Sequence, residues 1–333
     1  MFKQSFKHYK KKDQLPDLQD VIDFDIYEAN NSSYSWCNLV KSMNITELHM
    51  RECLNIPIGL RPLHMWRCYM LKNHPGLLVI RNPFTFIGQR YWIARSLRDY
   101  PLAPNIVNLD AKHFSSNTVS DWWSELHKCT EKSVAHRLKT SMRWTTLGYH
   151  YNWDTKAYDE AMHTLFPIDL FSLSQYFAYV LGFPNYIPQA GIINYYPIGT
   201  CLSGHTDHSE LNHEAPLFSY SFGQTAIFLI GHNTLEEQPS ALFLRSGDVL
   251  IMSRESRLCY HAIPRVMKSQ KEPWNDFLTI PQWKSKETFN SSMNFELYDQ
   301  VTDTCFWMKF NSYITDSRIN INVRQVFSSD YCL

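Results

Sequence analysis

The pattern of apolar and polar positions changes near residue 188. Before this point, apolar residues recur at three- and four-residue steps in three stretches, which predicts helices over 86–98, 120–143 and 169–181. Asp121 or Ser120 is a candidate N-cap of the second helix, because short polar side chains accept hydrogen bonds from free backbone N–H groups. The first 80 residues alternate polar, charged and short apolar stretches without a repeat.

Short strands and turns dominate the chain after residue 188. Five apolar segments predict strands, at 191–196, 217–223, 225–231, 241–253 and 259–267. Within the fourth segment, Ser246-Gly247-Asp248 predicts a turn that joins two strands as a hairpin. A polar stretch over 268–305 predicts an insertion loop, and strict alternation over 318–327 predicts a last strand. Helices followed by antiparallel strands favour an α+β chain built on a β-sandwich or jelly roll.

The composition of the chain excludes few classes of fold or function. The chain has 333 residues, 44% of them hydrophobic, which is enough for one large domain or a core with an extension. Its formal net charge is zero, so nucleic acid would have to be met by a local basic patch. Eight scattered cysteines without a CxxC predict reduced thiols and an intracellular location. No apolar run reaches the roughly 18 residues that span a bilayer, so a membrane partner is not expected.

The N-terminal stretch MFKQSFKHYKKKD contains five lysines and no apolar core, so it does not match a secretory signal. We expect a solvated charged tail there. A mitochondrial presequence or a basic arm are the alternatives.

The tripeptide His205-Thr206-Asp207 is a candidate metal site. Residues two apart on a strand project from one face, so the imidazole and the carboxylate would point toward a shared position. Two histidines and one carboxylate leave three coordination positions open, which suits non-haem iron(II). His261, after the predicted hairpin, is a candidate third ligand, and its alternative role is a buried core histidine. Other candidates are His208, His213 and His232.

The last predicted strand has two chemically distinct faces. Strict alternation places Ile319, Ile321 and Val323 on one face and Arg318, Asn320, Asn322 and Arg324 on the other. Arginine pairs bidentately with carboxylates, and amides satisfy the remaining lone pairs, so the polar face suits a dicarboxylate. Asn194 and Tyr196, two apart on an earlier strand, offer further donors. An outer strand with a solvated polar face is the alternative.

These residues together resemble the signature of the AlkB-type iron(II)- and 2-oxoglutarate-dependent dioxygenases, most closely its first-numbered animal branch. The pattern NxYxxGxxLxxHxD, a distal His and RxNxxxR is filled by Asn194, Tyr196, Gly199, Leu202, His205, Asp207, His261, Arg318, Asn320 and Arg324. The resemblance covers most of residues 20–330. It implies a double-stranded β-helix (a jelly-roll, cupin-like core) over 141–333, with the catalytic segment at 188–327. Residues 1–140 would form an N-terminal helical extension with substrate-side elements.

By this resemblance, His205, Asp207 and His261 are the catalytic ligands of Fe(II), and O2 and the co-substrate 2-oxoglutarate complete the reaction. Arg318, Asn320 and Tyr196 would hold the far carboxylate of 2-oxoglutarate, and Arg324 and Asn194 its metal-side end. The substrate side would contain Tyr149, His150, Tyr151 and Asn152, with Trp123 as a weaker candidate. Aromatic faces suit stacking on an extruded base, and an amide suits reading its edge.

The implied function is a nucleic acid dioxygenase that acts on methylated bases. tRNA is the first expected substrate, through 1-methyladenosine demethylation or oxidation of 5-methylcytosine to hydroxymethyl and formyl products. N6-methyladenine in DNA is second. The alternative is a protein or histone demethylase or hydroxylase with the same iron centre. We expect a monomer in the nucleus, cytoplasm or mitochondrion.

Overall fold

The computed structural model describes residues 1–11, 16–29, 33–45, 57, 59–276 and 292–328. The helices in this part of the chain are α1 Phe2–Lys10, α2 Phe24–Glu28, α3 Phe86–Ala94, α4 Ser116–Ser120, α5 Trp122–Lys128, α6 Lys132–Ser141, α7 Ile168–Val180, α8 Phe295–Gln300 and α9 Thr304–Ile314. None of these described helices is long and apolar enough to cross a bilayer.

Strands supply the scaffold of the fold. They are β1 Val21–Ile22, β2 Val40–Met43, β3 Arg67–Leu71, β4 His74–Arg81, β5 Ile106–Val107, β6 Trp144–Asn152, β7 Ala157–His163, β8 Ala190–Pro197, β9 Leu202–His205, β10 Leu217–Gly223, β11 Thr225–Ile230, β12 Ser240–Leu244, β13 Val249–Met252, β14 His261–Met267 and β15 Ser317–Arg324.

Two sheets form the jelly-roll core. The larger sheet has the strand order β2-β3-β4-β13-β10-β15-β8-β6-β5, with β7 paired to β6, and the smaller one has the order β1-β12-β11-β14-β9. Side chains from both sheets share one apolar cluster, including Leu250 and Met252 of β13 and Phe228 and Ile230 of β11. The two sheets therefore face each other across a shared interior.

Helices cover the outer face of the larger sheet. Ile319, Ile321 and Val323 of β15 are fully buried there, in a cluster with Phe177 of α7 and Phe310 of α9. Burial on this face fixes the register of β15, because a shift by one residue would exchange its apolar and polar sides. The polar face of β15 consequently points into the jelly roll.

Most predicted elements are confirmed. The helices near 86 and 169 are present as α3 and α7, and the long helix over 120–143 is broken into α5 and α6 around residues 129–131. Asp121 does cap α5, since its side chain accepts a hydrogen bond from the backbone N–H of Ser124. The α+β class and the five strand segments are also confirmed.

The predicted hairpin at Ser246-Gly247-Asp248 is wrong. β12 pairs with β11 and β1, whereas β13 pairs with β10 and β4, so the turn carries the chain from one sheet to the other. Gly247 has φ +86°, a left-handed conformation that other residues rarely adopt. The local turn was correctly placed, but local sequence does not specify which sheet receives each strand.

The N-terminal stretch is not a solvated tail, because α1 packs on the smaller sheet through Phe2, which is buried against Gly204 and Gly231. The segment 1–140 is also not purely helical, since it adds β1 to the smaller sheet and β2, β3 and β4 to the larger one. The domain division at residue 140 stays a prediction. Of the expected insertion loop, residues 277–291 lie outside the described residues, and its last part forms α8.

Candidate metal and co-substrate site

A cavity of about 360 Å³ lies between the two sheets. One wall is the polar face of β8 and β15, and the opposite wall is formed by β9 and β14. The residues predicted for a metal and a dicarboxylate that line it are Asn194, Tyr196, His205, Asp207, His261, Arg318, Asn320, Asn322 and Arg324. Side chains that are far apart in sequence thus meet in one chamber.

His205, Asp207 and His261 offer three ligand atoms that lie within 4.8 Å of one another. Strand pairing creates this arrangement, because His205 on β9 is the direct partner of His261 on β14. The Nε2 atoms of His205 and His261 lie 3.9 and 3.8 Å from the two carboxylate oxygens of Asp207. Two imidazoles and one carboxylate around a shared point suit an open-sided iron(II) site.

Hydrogen bonds orient both imidazoles. The Nδ1 atom of His205 lies 2.9 Å from the carbonyl oxygen of Ser203, and Nδ1 of His261 lies 3.2 Å from that of Cys259. A carbonyl only accepts, so each Nδ1 carries the proton in these contacts, and each Nε2 is left with a lone pair toward Asp207. This is the tautomer that a metal requires.

Electrostatics and burial keep Asp207 and His261 in their ligating protonation states. Burial alone would raise the pKa of the Asp207 carboxyl, but opposing charges, with the Arg324 guanidinium first among them, hold that pKa far below its ordinary value. Burial lowers the pKa of His261 to about 4, with help from the neighbouring His205. At neutral pH the carboxylate is charged and the His261 imidazole is neutral, so neither group needs to lose a proton before binding a cation.

Arg318 is a buried cation that has no carboxylate partner within the described part of the chain. It is 1% exposed, its Nη2 donates to the hydroxyl of Ser221 at 2.9 Å, and its Nε and Nη1 have no hydrogen-bond partner among the described residues. Burial lowers the pKa of this guanidinium to about 10. A buried cation with unsatisfied donors is costly unless an anion completes it. Arg318 therefore fits the binding of a carboxylate in the cavity.

The other predicted co-substrate residues surround Arg318 and the triad. The guanidinium of Arg318 lies 5.7 Å from the ring centroid of Tyr196, and Asn194 is the strand partner of Asn320. The amide nitrogen of Asn320 already donates to the Ser219 hydroxyl and to a backbone carbonyl. Arg324 donates to Asp207 at 2.8 Å, so it reaches the metal end of the chamber rather than the Arg318 end.

The donor set therefore fits iron(II) and 2-oxoglutarate. The triad supplies nitrogen and oxygen ligands on one side of a point, and the unpaired donors of Arg318 are suited to a carboxylate elsewhere in the same chamber. The alternative of a solvated outer strand is wrong, because β15 lies inside the larger sheet between β10 and β8. The other candidate ligands, His208, His213 and His232, lie outside the triad.

Only Tyr151 of the four-residue run Tyr149–Asn152 lines the cavity. A β-bulge between Tyr149 and Tyr151 interrupts the alternation of β6. Tyr149 packs against Phe327. The side-chain oxygen of Asn152 accepts hydrogen bonds from two backbone N–H groups in the turn that follows β6.

His150 and Trp123 lie elsewhere. Nδ1 of His150 is 2.8 Å from the Thr146 hydroxyl, and this side chain is buried away from the cavity lining. Trp123 is 3% exposed and stacks on Phe310 in the helical core. The position of Trp123 corrects its assignment to the substrate side, since its apolar helix face is used for packing.

The cavity residues that the sequence prediction missed include Trp153, Lys156 and Tyr158. All three belong to the β6–β7 hairpin. The ring of Tyr151 lies 4.7 Å from that of Trp153 and 5.4 Å from that of Tyr158, which gives a continuous aromatic wall. The aromatic residue directly after the predicted run was a usable signal, because a hairpin tip projects such residues beyond the sheet.

The sequence of the chain is similar to known oxygenases. The profile of the 2OG-Fe(II) oxygenase superfamily matches residues 76–324. Human nucleic acid dioxygenase ALKBH1 is 36% identical over 99% of this chain and 84% of the human protein. The Arabidopsis thaliana DNA N(6)-methyladenine demethylase ALKBH1A is 28% identical over 96% of this chain and 91% of that protein. The Schizosaccharomyces pombe tRNA demethylase abh1 is 28% identical over 98% and 95%.

Proposed function

The chain belongs to the AlkB-type branch of the 2OG-Fe(II) oxygenase superfamily and is a dioxygenase, and we propose that it oxidises methylated bases in nucleic acid. tRNA is the first proposed substrate and DNA the second. The observation that carries this proposal is the aromatic wall of Tyr151, Trp153 and Tyr158 beside the triad. The similar proteins from Arabidopsis thaliana and Schizosaccharomyces pombe are a DNA demethylase and a tRNA demethylase, which supports the same substrate class.

We assign His205, Asp207 and His261 to iron(II), and Arg318 with Tyr196 and Asn320 to the distal carboxylate of 2-oxoglutarate. We assign Arg324, which donates to Asp207, and Asn194 to the metal-side end of the co-substrate. With 2-oxoglutarate and O2, bound iron supplies the oxidising chemistry that hydroxylates a methyl group and releases succinate and carbon dioxide. The chain contributes charge, orientation and exclusion of water.

The protein residues act mainly by holding fixed charges in the cavity between the two sheets. Arg324 keeps the Asp207 carboxylate deprotonated and oriented, and Arg318 holds one end of an otherwise flexible dicarboxylate. Because Arg318 is preorganised and already desolvated, its attraction to a carboxylate is stronger than at a solvated surface. A co-substrate held at both ends loses the rotational freedom that would misdirect the reaction.

The hairpin wall suits a flipped base. A target base must leave its stack to reach the chamber, and aromatic faces replace part of the stacking that it loses. Trp153 is 46% exposed, so its face is available to a ligand, and Lys156 adds a cation beside the cavity for a backbone phosphate. Both side chains sit on the same hairpin as Tyr151.

The position of the methyl group determines the product. A hydroxymethyl group on nitrogen collapses to formaldehyde and the demethylated base, as we propose for 1-methyladenosine in tRNA and N6-methyladenine in DNA. A hydroxymethyl group on carbon persists and can be oxidised again, as we propose for 5-methylcytosine. One centre is therefore compatible with both outcomes.

Nucleoside mass spectrometry tests the proposal. Purified enzyme with iron(II) and 2-oxoglutarate is incubated with cellular tRNA, genomic DNA and a methylated histone peptide, and His205→Ala serves as the inactive control. We expect loss of 1-methyladenosine or gain of 5-hydroxymethyl- and 5-formylcytidine in tRNA, and weaker loss of N6-methyladenine in DNA. Modification of the peptide alone would replace the nucleic acid proposal with a protein demethylase.

We also predict that Trp153→Ala weakens binding of a single-stranded methylated oligonucleotide. Stacking of one base on an aromatic side chain contributes about 1–3 kcal/mol, so Kd is expected to rise about 5- to 150-fold. Fluorescence anisotropy measures this change. Phe295→Ala, which removes another partly exposed aromatic ring outside the cavity lining, is the matched control and is expected to bind normally. Equal Kd values for the two variants would remove Trp153 from the substrate surface.

A further inference from the structure

Asp207 lies beyond the last residue of β9, so the strand does not itself hold the carboxylate of the triad. We propose that Glu210 and Arg257 are positioning residues of the metal site, which fix Asp207 through a closed ring of charges in which Arg257, Glu210 and Arg324 are buried. Neither residue belongs to the triad or to the residues assigned to 2-oxoglutarate. The proposal rests on the assigned metal site and does not depend on the identity of the oxidised substrate.

Arg257 fixes the main chain around Asp207. Its side chain is 2% exposed. Its Nη1 donates to the carbonyl oxygen of Asp207 at 2.6 Å, and its Nε donates to that of Ala215 at 3.2 Å. One guanidinium therefore joins the two ends of the loop that follows β9. Because its donors lie in a rigid plane, the separation of these two carbonyl groups is also fixed.

Arg324 fixes the side chain of the same aspartate. Its Nη2 donates to Oδ2 of Asp207 at 2.8 Å. The backbone and the carboxylate of Asp207 are thus held by two different arginines. Both guanidinium groups are buried, so each needs a counter-charge nearby.

Glu210 supplies the counter-charge that links these arginines. Its side chain is 2% exposed, with Oε1 at 2.9 Å from Nε of Arg324 and Oε2 at 3.1 Å from Nη2 of Arg257. The ring then runs from the Asp207 backbone through Arg257, Glu210 and Arg324 to the Asp207 carboxylate. Two arginines and two carboxylates make it neutral before a cation binds.

The role of Glu210 follows from this charge balance. Without its charge, two buried guanidinium groups would share Asp207 as the sole carboxylate of the ring. Their combined attraction would draw the Asp207 carboxylate away from the imidazoles and compete with a cation for its oxygens. Glu210 therefore lets Arg324 orient Asp207 while leaving the carboxylate available to iron.

A stabilising ion pair without influence on the metal is the competing explanation. A purely stabilising ion pair would change the unfolding temperature and leave the metal affinity of the folded protein unaltered. A positioning role would change the metal affinity of the folded protein. Metal affinity in folded protein is therefore the decisive readout. Loss of groups that orient metal ligands typically weakens metal binding 10- to 100-fold.

The test is a titration of metal-stripped full-length protein with Mn(II), with free Mn(II) followed by electron paramagnetic resonance. We expect Glu210→Gln and Arg257→Gln each to weaken Mn(II) binding about 10- to 100-fold. In the double variant, the affinity for Mn(II) should fall by less than the product of the two single-variant factors, because both changes break the same ring. Glu214→Gln, the same change at an exposed glutamate of the same loop, should bind as wild type does.

Thermal unfolding of the metal-free variants is measured in parallel to establish that the titrated protein is folded. If Glu210→Gln does not fold, Arg257→Lys keeps the charge but loses the planar fork, and it should show the same direction of change. Wild-type Mn(II) affinity in any folded variant at these two positions overturns the proposal. His205→Ala reports on the metal site itself, so wild-type binding by that variant would instead contradict the assigned triad.

Discussion

Replacing His205 or Asp207 with alanine is expected to abolish 2-oxoglutarate turnover. Each change removes a ligand atom from a three-ligand site, and loss of outer groups alone weakens metal centres 10- to 100-fold. We therefore expect succinate formation to fall more than about 100-fold, to the level of a reaction without enzyme. Chromatographic measurement of succinate at saturating iron(II) and 2-oxoglutarate checks this expectation.

The two variants should differ in stability. The side chain of His205 is 37% exposed, and its only hydrogen bond to the described residues is to the carbonyl oxygen of Ser203, so His205→Ala should fold with a near-normal Tm. Asp207, whose side chain is 14% exposed, pairs with the buried Arg324, and its loss leaves that guanidinium with an unpaired donor, so Asp207→Ala should also lower Tm. Asp20→Ala, at an exposed position outside the cavity, is the matched control. Succinate production by folded His205→Ala at the wild-type rate would rule out the triad.

Replacing Arg318 with methionine should weaken 2-oxoglutarate binding without weakening the fold. A hydrogen bond to a charged group contributes about 1.5–3 kcal/mol, so KM for 2-oxoglutarate is expected to rise about 10- to 150-fold. Metal-free Arg318→Met should unfold at the same temperature as the wild type or higher, because a buried cation with unpaired donors is replaced by an apolar chain.

These opposite effects distinguish a binding role from a structural one. KM is measured from initial rates of succinate release, and Tm is measured without metal. Arg254→Met, at an exposed position outside the cavity, should leave both unchanged. A large fall in Tm with an unaltered KM would mean that Arg318 supports the fold and that another residue holds the co-substrate.

Residues on strands that alternate strictly between apolar and polar side chains were predictable from the sequence. The last strand alternates between isoleucine or valine and arginine or asparagine, and burial of its apolar face leaves one orientation for the polar face. The same reasoning applies to Asn194 and Tyr196 on β8. The family resemblance predicts that His205 and His261 belong to one triad, and the pairing of β9 with β14 brings the two side chains together.

Other features have no local signature. Asp207 was expected on a strand, yet it lies in a loop and is held by charges from Arg257 and Arg324, which are distant in sequence. The bulge in β6 turns Tyr149 away from the chamber, and alternation alone does not reveal a bulge. Trp123 shows a similar ambiguity, because an aromatic residue on a helix suits a core as well as a ligand surface.

A crystal structure of the protein with Mn(II) and 2-oxoglutarate, from crystals grown without oxygen, would test the proposed metal and co-substrate site most directly. Anomalous scattering locates the cation independently of the protein coordinates. We predict one strong peak within coordination distance of Nε2 of His205, Nε2 of His261 and the carboxylate of Asp207, with the distal carboxylate of 2-oxoglutarate paired to Arg318. A cation bound by other residues, or a co-substrate carboxylate that leaves Arg318 unpaired, would contradict the proposed site.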